Sequence, residues 1–321
     1  MEPVGALTIA LLWPPEGQQS QLAALLDFPH RFLEASPRRQ RVDALVSLRF
    51  GREEAGRFEP RLLHLPGAGA DAVDFALLGD SCTVCNVYEH EIPVAEYVLA
   101  AILNHSTGYP DMIHGFTSAG FGQAYAARRP HGEIHGKTLG LVGYGHIGKL
   151  VAQRAQAFGM RVHAVSRSGQ APGAERADTI AGLHAMLRDA DFVVVACPLT
   201  DESRGLIGAP ELALMKPTSI LINIGRAAVV DEDALYDALA AQRIGGATLD
   251  VWYRYPSAGA PDSAPARRPF ESLPNVHCTA HSSAWTREMI SRRLTVIAAN
   301  LQRLYSRLPL LNVVRAGRLA D

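Results

Sequence analysis

The sequence predicts an α/β protein made of parallel sheets with helices on both faces, and three observations carry that expectation. An apolar strand, Leu139–Val142, runs into glycines spaced G-x-G-x-x-G (Gly143, Gly145, Gly148) and then into a helical pattern marked by Val151, Ala155 and Phe158. Short apolar runs alternate with helical stretches along the rest of the chain, as strands linked by crossover helices require. The 321 residues, 48% of them hydrophobic, suffice for two domains with sizeable cores.

Taken in order, Thr8–Leu12 reads as a strand, Gln19–Leu26 as a helix, and Ala44–Leu48 and Leu62–Leu65 as further strands, with no phosphate loop among them. Ser81–Asn86 also reads as a strand, which sets Cys82 and Cys85 on opposite faces and argues against a metal or redox pair. Pro93–Leu103 is a helix by the spacing of Val94, Val98, Ala101 and Ile102, with proline at its start. The segment Gly108–His135 has no clear period and reads as an arm. From Gly136 the strand–helix series continues: Met160–Ser166, Phe192–Ala196, Ser219–Ile224, Gly246–Val251 and Asn275–Thr279 read as buried parallel strands. Ser257–Arg268, rich in Pro, Ala and Ser, reads as a surface loop. The last helix carries Ile290, Leu294, Ile297, Leu301 and Leu304 at helical steps and is expected to return to the first domain, with Arg292, Arg293 and Arg303 on a solvated face.

A net charge of −1 provides no electrostatic footprint for nucleic acid or an anionic membrane, so neither is an expected partner. The N-terminus lacks a basic segment before the short apolar run Ala6–Trp13, and no apolar run is long enough to span a bilayer; a cytoplasmic protein is the expectation. Four cysteines in a chain of this length do not suggest a disulfide framework, and no metal ligand set is visible.

The glycine loop is where chemistry first becomes legible. Gly143 permits a tight turn out of the strand, Gly145 lets backbone approach a pyrophosphate, and Gly148 lets the helix lie close to the sheet. The helix N-terminus offers N–H groups to the phosphates. The second strand of the unit ends in Ser166-Arg167-Ser168, without the acid that would accept from a ribose 2′-hydroxyl. A guanidinium flanked by hydroxyls suits a 2′-phosphate, so NADP is expected over NAD. Ligands in open parallel sheets lie beyond the carboxyl ends of strands, and Arg226, Asp250 and His281 each follow such an end. A cation that forks onto a carboxylate, beside an imidazole that gives or takes a proton, fits the interconversion of a 2-keto and a 2-hydroxy acid.

With these residues in view, the chain resembles the D-isomer-specific 2-hydroxyacid dehydrogenase family. The matching segments are Val94–Glu96, Gly140–Gly148, Cys197-Pro198-Leu199-Thr200, Asn223-Ile224-Gly225-Arg226, Val230–Leu235, Leu249–Val251 and Thr279–His281. The resemblance implies two Rossmann-like or flavodoxin-like domains with the active site in the cleft between them: a substrate domain of residues 1–92 plus 286–321, and a nucleotide-binding domain of 93–285 bearing a dimerisation arm. It implies that Arg226 and His281 are catalytic and that backbone N–H groups of Ala68 and Gly69 hold the substrate carboxylate. It places Gly143, Tyr144, Gly145, His146, Ile147, Gly148, Cys197, Pro198, Leu199, Ile224, Gly225, Asp250 and Ser283 at the cofactor, with Ser166, Arg167 and Ser168 at its ribose. Homodimers through Pro93–His135 are usual in the family.

One position departs from the pattern. Where the family has a glutamate that hydrogen-bonds the histidine, this chain has Tyr255, while formate dehydrogenases of the superfamily have glutamine there and share Asp250-Val251-Trp252. Tyrosine can hydrogen-bond but brings no charge, so a lower His281 pKa than in glutamate-bearing relatives is expected unless another acid such as Glu271 substitutes. The reading is an NADPH-dependent reductase of small 2-keto acids such as glyoxylate or hydroxypyruvate. The alternatives are a formate- or phosphite-type dehydrogenase and a non-catalytic nucleotide-sensing protein.

Overall fold

A computed structural model describes residues 5–13, 18–33, 38–114, 116–256, 260 and 262–318, so parts of the Ser257–Arg268 stretch lie outside the described residues. Contacts group the chain into two units, Met1–His90 with Thr286–Asp321, and Glu91–Trp285.

The first unit opens with β1 (Leu7–Leu11), α1 (Gln18–Ala24), β2 (His30–Leu33), β3 (Gln40–Val46), α2 (Arg52–Arg57), β4 (Phe58–His64) and β5 (Thr83–Cys85). Its six-stranded sheet runs Val313–Arg315, β5, β4, β3, β1, β2, parallel except for Val313–Arg315, which pairs antiparallel with β5. The sequence reading missed β2 because none of its residues is fully buried and no apolar alternation marks it. The two thiols do part company: Cys82 packs with Phe50, Leu63 and Leu65, and Cys85 with Ile9, Leu62 and Leu294. Burial pushes them up to about 11 and about 12, which keeps both neutral.

The helix Arg287–Tyr305 is capped by Thr286, whose side chain accepts from the Met289 N–H. It buries Leu294, Ile297, Ala298 and Leu301 against Leu7, Ile9, Leu22 and Val46. Its arginines correct the expectation of a solvated face. Arg292 Nε donates to Glu89 Oε2 at 3.1 Å, and Arg293 is 8% exposed with Nε donating to the Tyr88 carbonyl at 3.4 Å. Chain Tyr88–Glu89 covers that side of the helix, which a periodicity argument has no means of seeing.

The second unit contains α3 (Glu91–Thr107), α4 (Tyr109–His114), α5 (Phe121–Ala126), β6 (Thr138–Val142), α6 (His146–Ala157), β7 (Arg161–Val165), β8 (Arg176–Asp178), α7 (Leu183–Asp189), β9 (Phe192–Val195), α8 (Ala209–Leu212), β10 (Ile220–Asn223), α9 (Glu232–Ala240), β11 (Gly246–Leu249) and β12 (Val276–Cys278). Seven parallel strands run in the order β12, β11, β10, β9, β6, β7, β8. Both faces are covered: Leu139, Leu141, Val162 and Ile222 pack on one side with Val98, Ile102 and Val151, and Val142, Val193, Leu221 and Leu249 on the other with Leu187 and Leu235. The chain moves from β6 to β7 on one side and later to β9 on the other. The loop after β6 therefore opens at the point where strand order reverses, the usual ligand crevice of such sheets. The arm that showed no period holds two short helices, α4 and α5, with no fully buried residue in either.

Candidate active site

The loop after β6 is shaped by its glycines. Gly143 has φ +106°, and a Cβ there would lie 2.8 Å from Cys197 N and 2.9 Å from the Ala196 carbonyl carbon, so no other residue fits without moving β9. A Cβ on Gly148 would collide with the Gly143 carbonyl oxygen, which lets α6 start hard against the turn. Gly145 differs: nothing lies within 4 Å of its missing Cβ. Open space in front of a twelve-residue helix whose first turn carries no acid leaves room for a pyrophosphate at the positive end of α6. His146 is exposed here, Tyr144 and Ile147 are half-buried, and Gly148 is buried.

Beyond β7, Ser166 Oγ donates to the Gln170 carbonyl at 3.1 Å, and Ser168 Oγ accepts from Gln170 N–H at 3.3 Å, while Arg167 is exposed. This turn is tied to the glycine loop, because Tyr144 Oη donates to the Pro172 carbonyl at 2.6 Å. Next to the glycine loop, Cys197 follows β9, and a Cβ on Gly225 would lie 2.9 Å from the Cys197 carbonyl oxygen, so the loops after β9 and β10 pack backbone to backbone. Burial raises the Cys197 thiol to about 11, so it serves as a small apolar wall. Pro198 is exposed and Leu199 half-buried, and Ile224 and Gly225 are buried at the end of β10.

Arg226 follows at once. The Asn223 side chain braces this turn from both ends, donating to the Arg226 carbonyl at 3.2 Å and accepting from Gly225 N–H at 3.2 Å. The half-buried guanidinium donates Nη1 to the Gly225 carbonyl at 3.0 Å, which helps to fix its direction.

On the far side of β11, Asp250 and the loop after β12 form a closed hydrogen-bond set. The Asp250 carboxylate has no solvent exposure; it accepts from Thr279 Oγ1 at 2.6 Å, Ser282 N–H at 2.8 Å and Ser283 N–H at 3.1 Å. Trp252 Nε1 donates to the Thr279 carbonyl at 2.8 Å. These bonds enclose His281, whose φ of +54° is a left-handed conformation costing a non-glycine residue about 1 kcal/mol. Its exposed ring meets Tyr255: Tyr255 Oη and His281 Nδ1 are 2.8 Å apart, and the Tyr255 oxygen also accepts from Trp252 N–H at 3.2 Å. Tyr255 thus stands against His281 Nδ1. Glu271 sits in the short 3-10 turn Phe270–Ser272 and is exposed.

In the first unit, Ala68 and Gly69 follow the carboxyl end of β4. The Ala68 carbonyl accepts from Asn86 Nδ2 at 2.8 Å, and among the described residues neither the Ala68 nor the Gly69 N–H donates to a protein acceptor. The sequence reading missed Tyr97, on α3, whose hydroxyl lies 2.7 Å from Thr279 Oγ1. No local signal in the chain could have paired residues that far apart. Among the described residues no cluster of metal-ligating side chains occurs, and no helix is long and apolar enough to cross a membrane.

The family model for the D-isomer specific 2-hydroxyacid dehydrogenase, NAD binding domain, matches residues 99–283. The chain is 43% identical over 158 residues to glyoxylate/hydroxypyruvate reductase B of Pectobacterium carotovorum, covering 49% of this chain and 47% of that protein. It is 46% identical over 125 residues to glyoxylate reductase of Thermococcus gammatolerans, covering 39% of this chain and 37% of that protein. The matches thus span less than half the length of these curated relatives. A solved structure of the NADPH-dependent glyoxylate/hydroxypyruvate reductase of Sinorhizobium meliloti, in complex with NADP and sulfate, has a TM-score of 0.78 at 25% identity, covering 98% of this chain and 100% of that one.

Proposed function

Because this chain belongs to the D-isomer-specific 2-hydroxyacid dehydrogenase family, we propose that it reduces a small 2-keto acid, of the size of glyoxylate or hydroxypyruvate, to the 2-hydroxy acid with NADPH. The observation that carries the reading is the pairing of an oriented arginine after β10 with a histidine held at Nδ1 after β12, on the same edge of the sheet as the glycine loop.

The loop residues fit a dinucleotide, since Gly145 leaves open space before α6 and Ser166, Arg167 and Ser168 put hydroxyls and a cation, with no acid, at the end of β7. NADPH is preferred on that ground, and the Sinorhizobium meliloti relative is itself NADPH-dependent. When bound, reduced nicotinamide supplies the hydride. Arg226 orients the substrate carboxylate and polarises the keto group. His281 holds a proton at Nε2 and delivers it to the developing alkoxide, with Tyr255 fixing the ring through Nδ1. The unclaimed N–H groups of Ala68 and Gly69 are suited to a carboxylate.

The arm supports a homodimer. Tyr109, Met112, Ile113, Phe116, Phe121 and Tyr125 are each about half exposed or more, and Tyr109 and Met112 also line an open pocket of about 650 Å³ with Leu103 and His131. All four cysteines are free thiols, which favours a reducing compartment such as the cytoplasm.

The test is NADPH oxidation against a panel of 2-keto acids, with Arg226→Ala as control. Turnover of glyoxylate or hydroxypyruvate that falls by about a thousandfold in kcat/KM in the variant supports the proposal. Tight NADPH binding without turnover of any 2-keto acid refutes it.

A further inference from the structure

Tyr97 joins a chain of hydrogen bonds whose direction can be read from donor and acceptor counts. A carboxylate only accepts, so the single hydroxyl hydrogen of Thr279 goes to Asp250 Oδ1, 2.6 Å away. The Thr279 oxygen must then accept from the Tyr97 hydroxyl at 2.7 Å. Burial first, and then the negative charge of Asp250, push the Tyr97 phenol up to about 12, so it remains a donor at any working pH. The other two bonds to Asp250 come from the N–H groups of Ser282 and Ser283, on the C-terminal side of His281. The loop is thus held on both sides of the one residue with a left-handed φ.

We propose that Tyr97 is a positioning residue for His281: its hydroxyl heads a directed chain, Tyr97 to Thr279 to Asp250, that locks the loop in the conformation presenting the imidazole. Asp250 is the anchor of that loop. Among the described residues its accepted bonds all run into Thr279–Ser283, and its carboxylate is fully enclosed, so it faces the loop and not open solvent. Thr279 is the coupling, since it alone bonds both partners. α3 thereby does more than cover the sheet: it carries the outermost member of the histidine's support. The inference rests on the proposed role of His281 and specifies what holds that residue in place.

The test compares Tyr97→Phe, Thr279→Val and Thr279→Ser. Tyr97→Phe and Thr279→Val are each expected to lower kcat for 2-keto acid reduction about tenfold, with NADPH affinity and substrate KM within about twofold of the parent. The double variant should be no worse than the weaker single, and Thr279→Ser should restore kcat, since it keeps the hydroxyl. An unchanged kcat in Tyr97→Phe, or losses that multiply in the double variant, overturns the proposal. Histidine side-chain 15N NMR gives a second readout, with the His281 ring signals assigned by their loss in His281→Gln. Tyr97→Phe should broaden or shift them, and an undisturbed His281 signal overturns the proposal. If the parent protein reduces no 2-keto acid, the functional reading fails on that result alone, and the ring signals still decide the role of Tyr97.

Discussion

A hydroxyl beside Nδ1 of His281, in place of a carboxylate, changes what the imidazole can do. A carboxylate would favour the imidazolium by charge; the Tyr255 hydroxyl can donate or accept by rotating and adds no charge. Tyr255→Glu is therefore expected to raise the upper limb of the pH profile of reductive kcat/KM, because the protonated ring then survives to higher pH. A profile that stays in place removes Tyr255 as the electrostatic partner. A second histidine gives a prediction about stability. His64, with no solvent exposure, has its pKa pushed down to about 4 by burial. Asn300 is fixed by its two bonds to Leu311 and donates Nδ2 to His64 Nε2, so a proton added there would face a donor. The folded chain thus binds fewer protons than the unfolded chain below about pH 6.5, and stability present above that value is lost as pH falls toward about 4. The loss amounts to about 3 kcal/mol, and His64→Gln should flatten the acid limb of thermal unfolding; equal slopes in parent and variant would contradict this. Arg226 and His281 were visible as candidates in the sequence because each follows a strand signal, and Tyr255 because it departs from the pattern of the family the chain resembles. Tyr97 was not, because its partner Thr279 is 182 residues away.

At the scale of elements, the glycine loop is constrained at two of its three glycines, Gly143 and Gly148. Gly143→Ala sets a Cβ against Cys197 N and Ala196 at a φ that a side chain resists, so it should cost about 1–3 kcal/mol and abolish NADPH binding measured by nucleotide fluorescence. Unaltered binding would mean that β6 and β9 can separate freely. The bond from Tyr144 to Pro172 ties this loop to the turn carrying Arg167. Tyr144→Phe should therefore lower the proposed preference for NADPH over NADH, by about tenfold, while leaving NADH binding intact; an unchanged preference contradicts a preformed ribose pocket. Buried strands such as β6, β9 and β10 were legible from continuous apolar runs. The strands β2 and β8 were not: the residues of β8 are all exposed, and edge strands that bury little write little into the sequence.

At the scale of the whole molecule, the two units draw on different parts of the chain, and the helix Arg287–Tyr305 packs its apolar face on the strands that open the sequence. Helical spacing made that stripe visible, whereas the arm stayed opaque because α4 and α5 expose the residues a periodicity would need to bury. Those exposed aromatics predict a dimer, and Phe116→Asp with Phe121→Asp should shift sedimentation to the monomer; a parent already monomeric at micromolar concentration would contradict the arm's proposed role. The most direct test of the whole account is single-turnover oxidation of bound NADPH by glyoxylate in the parent and in His281→Gln. NADPH is expected still to bind the variant while the rate of hydride transfer falls by about a hundredfold or more. An equal rate in the two proteins would contradict it.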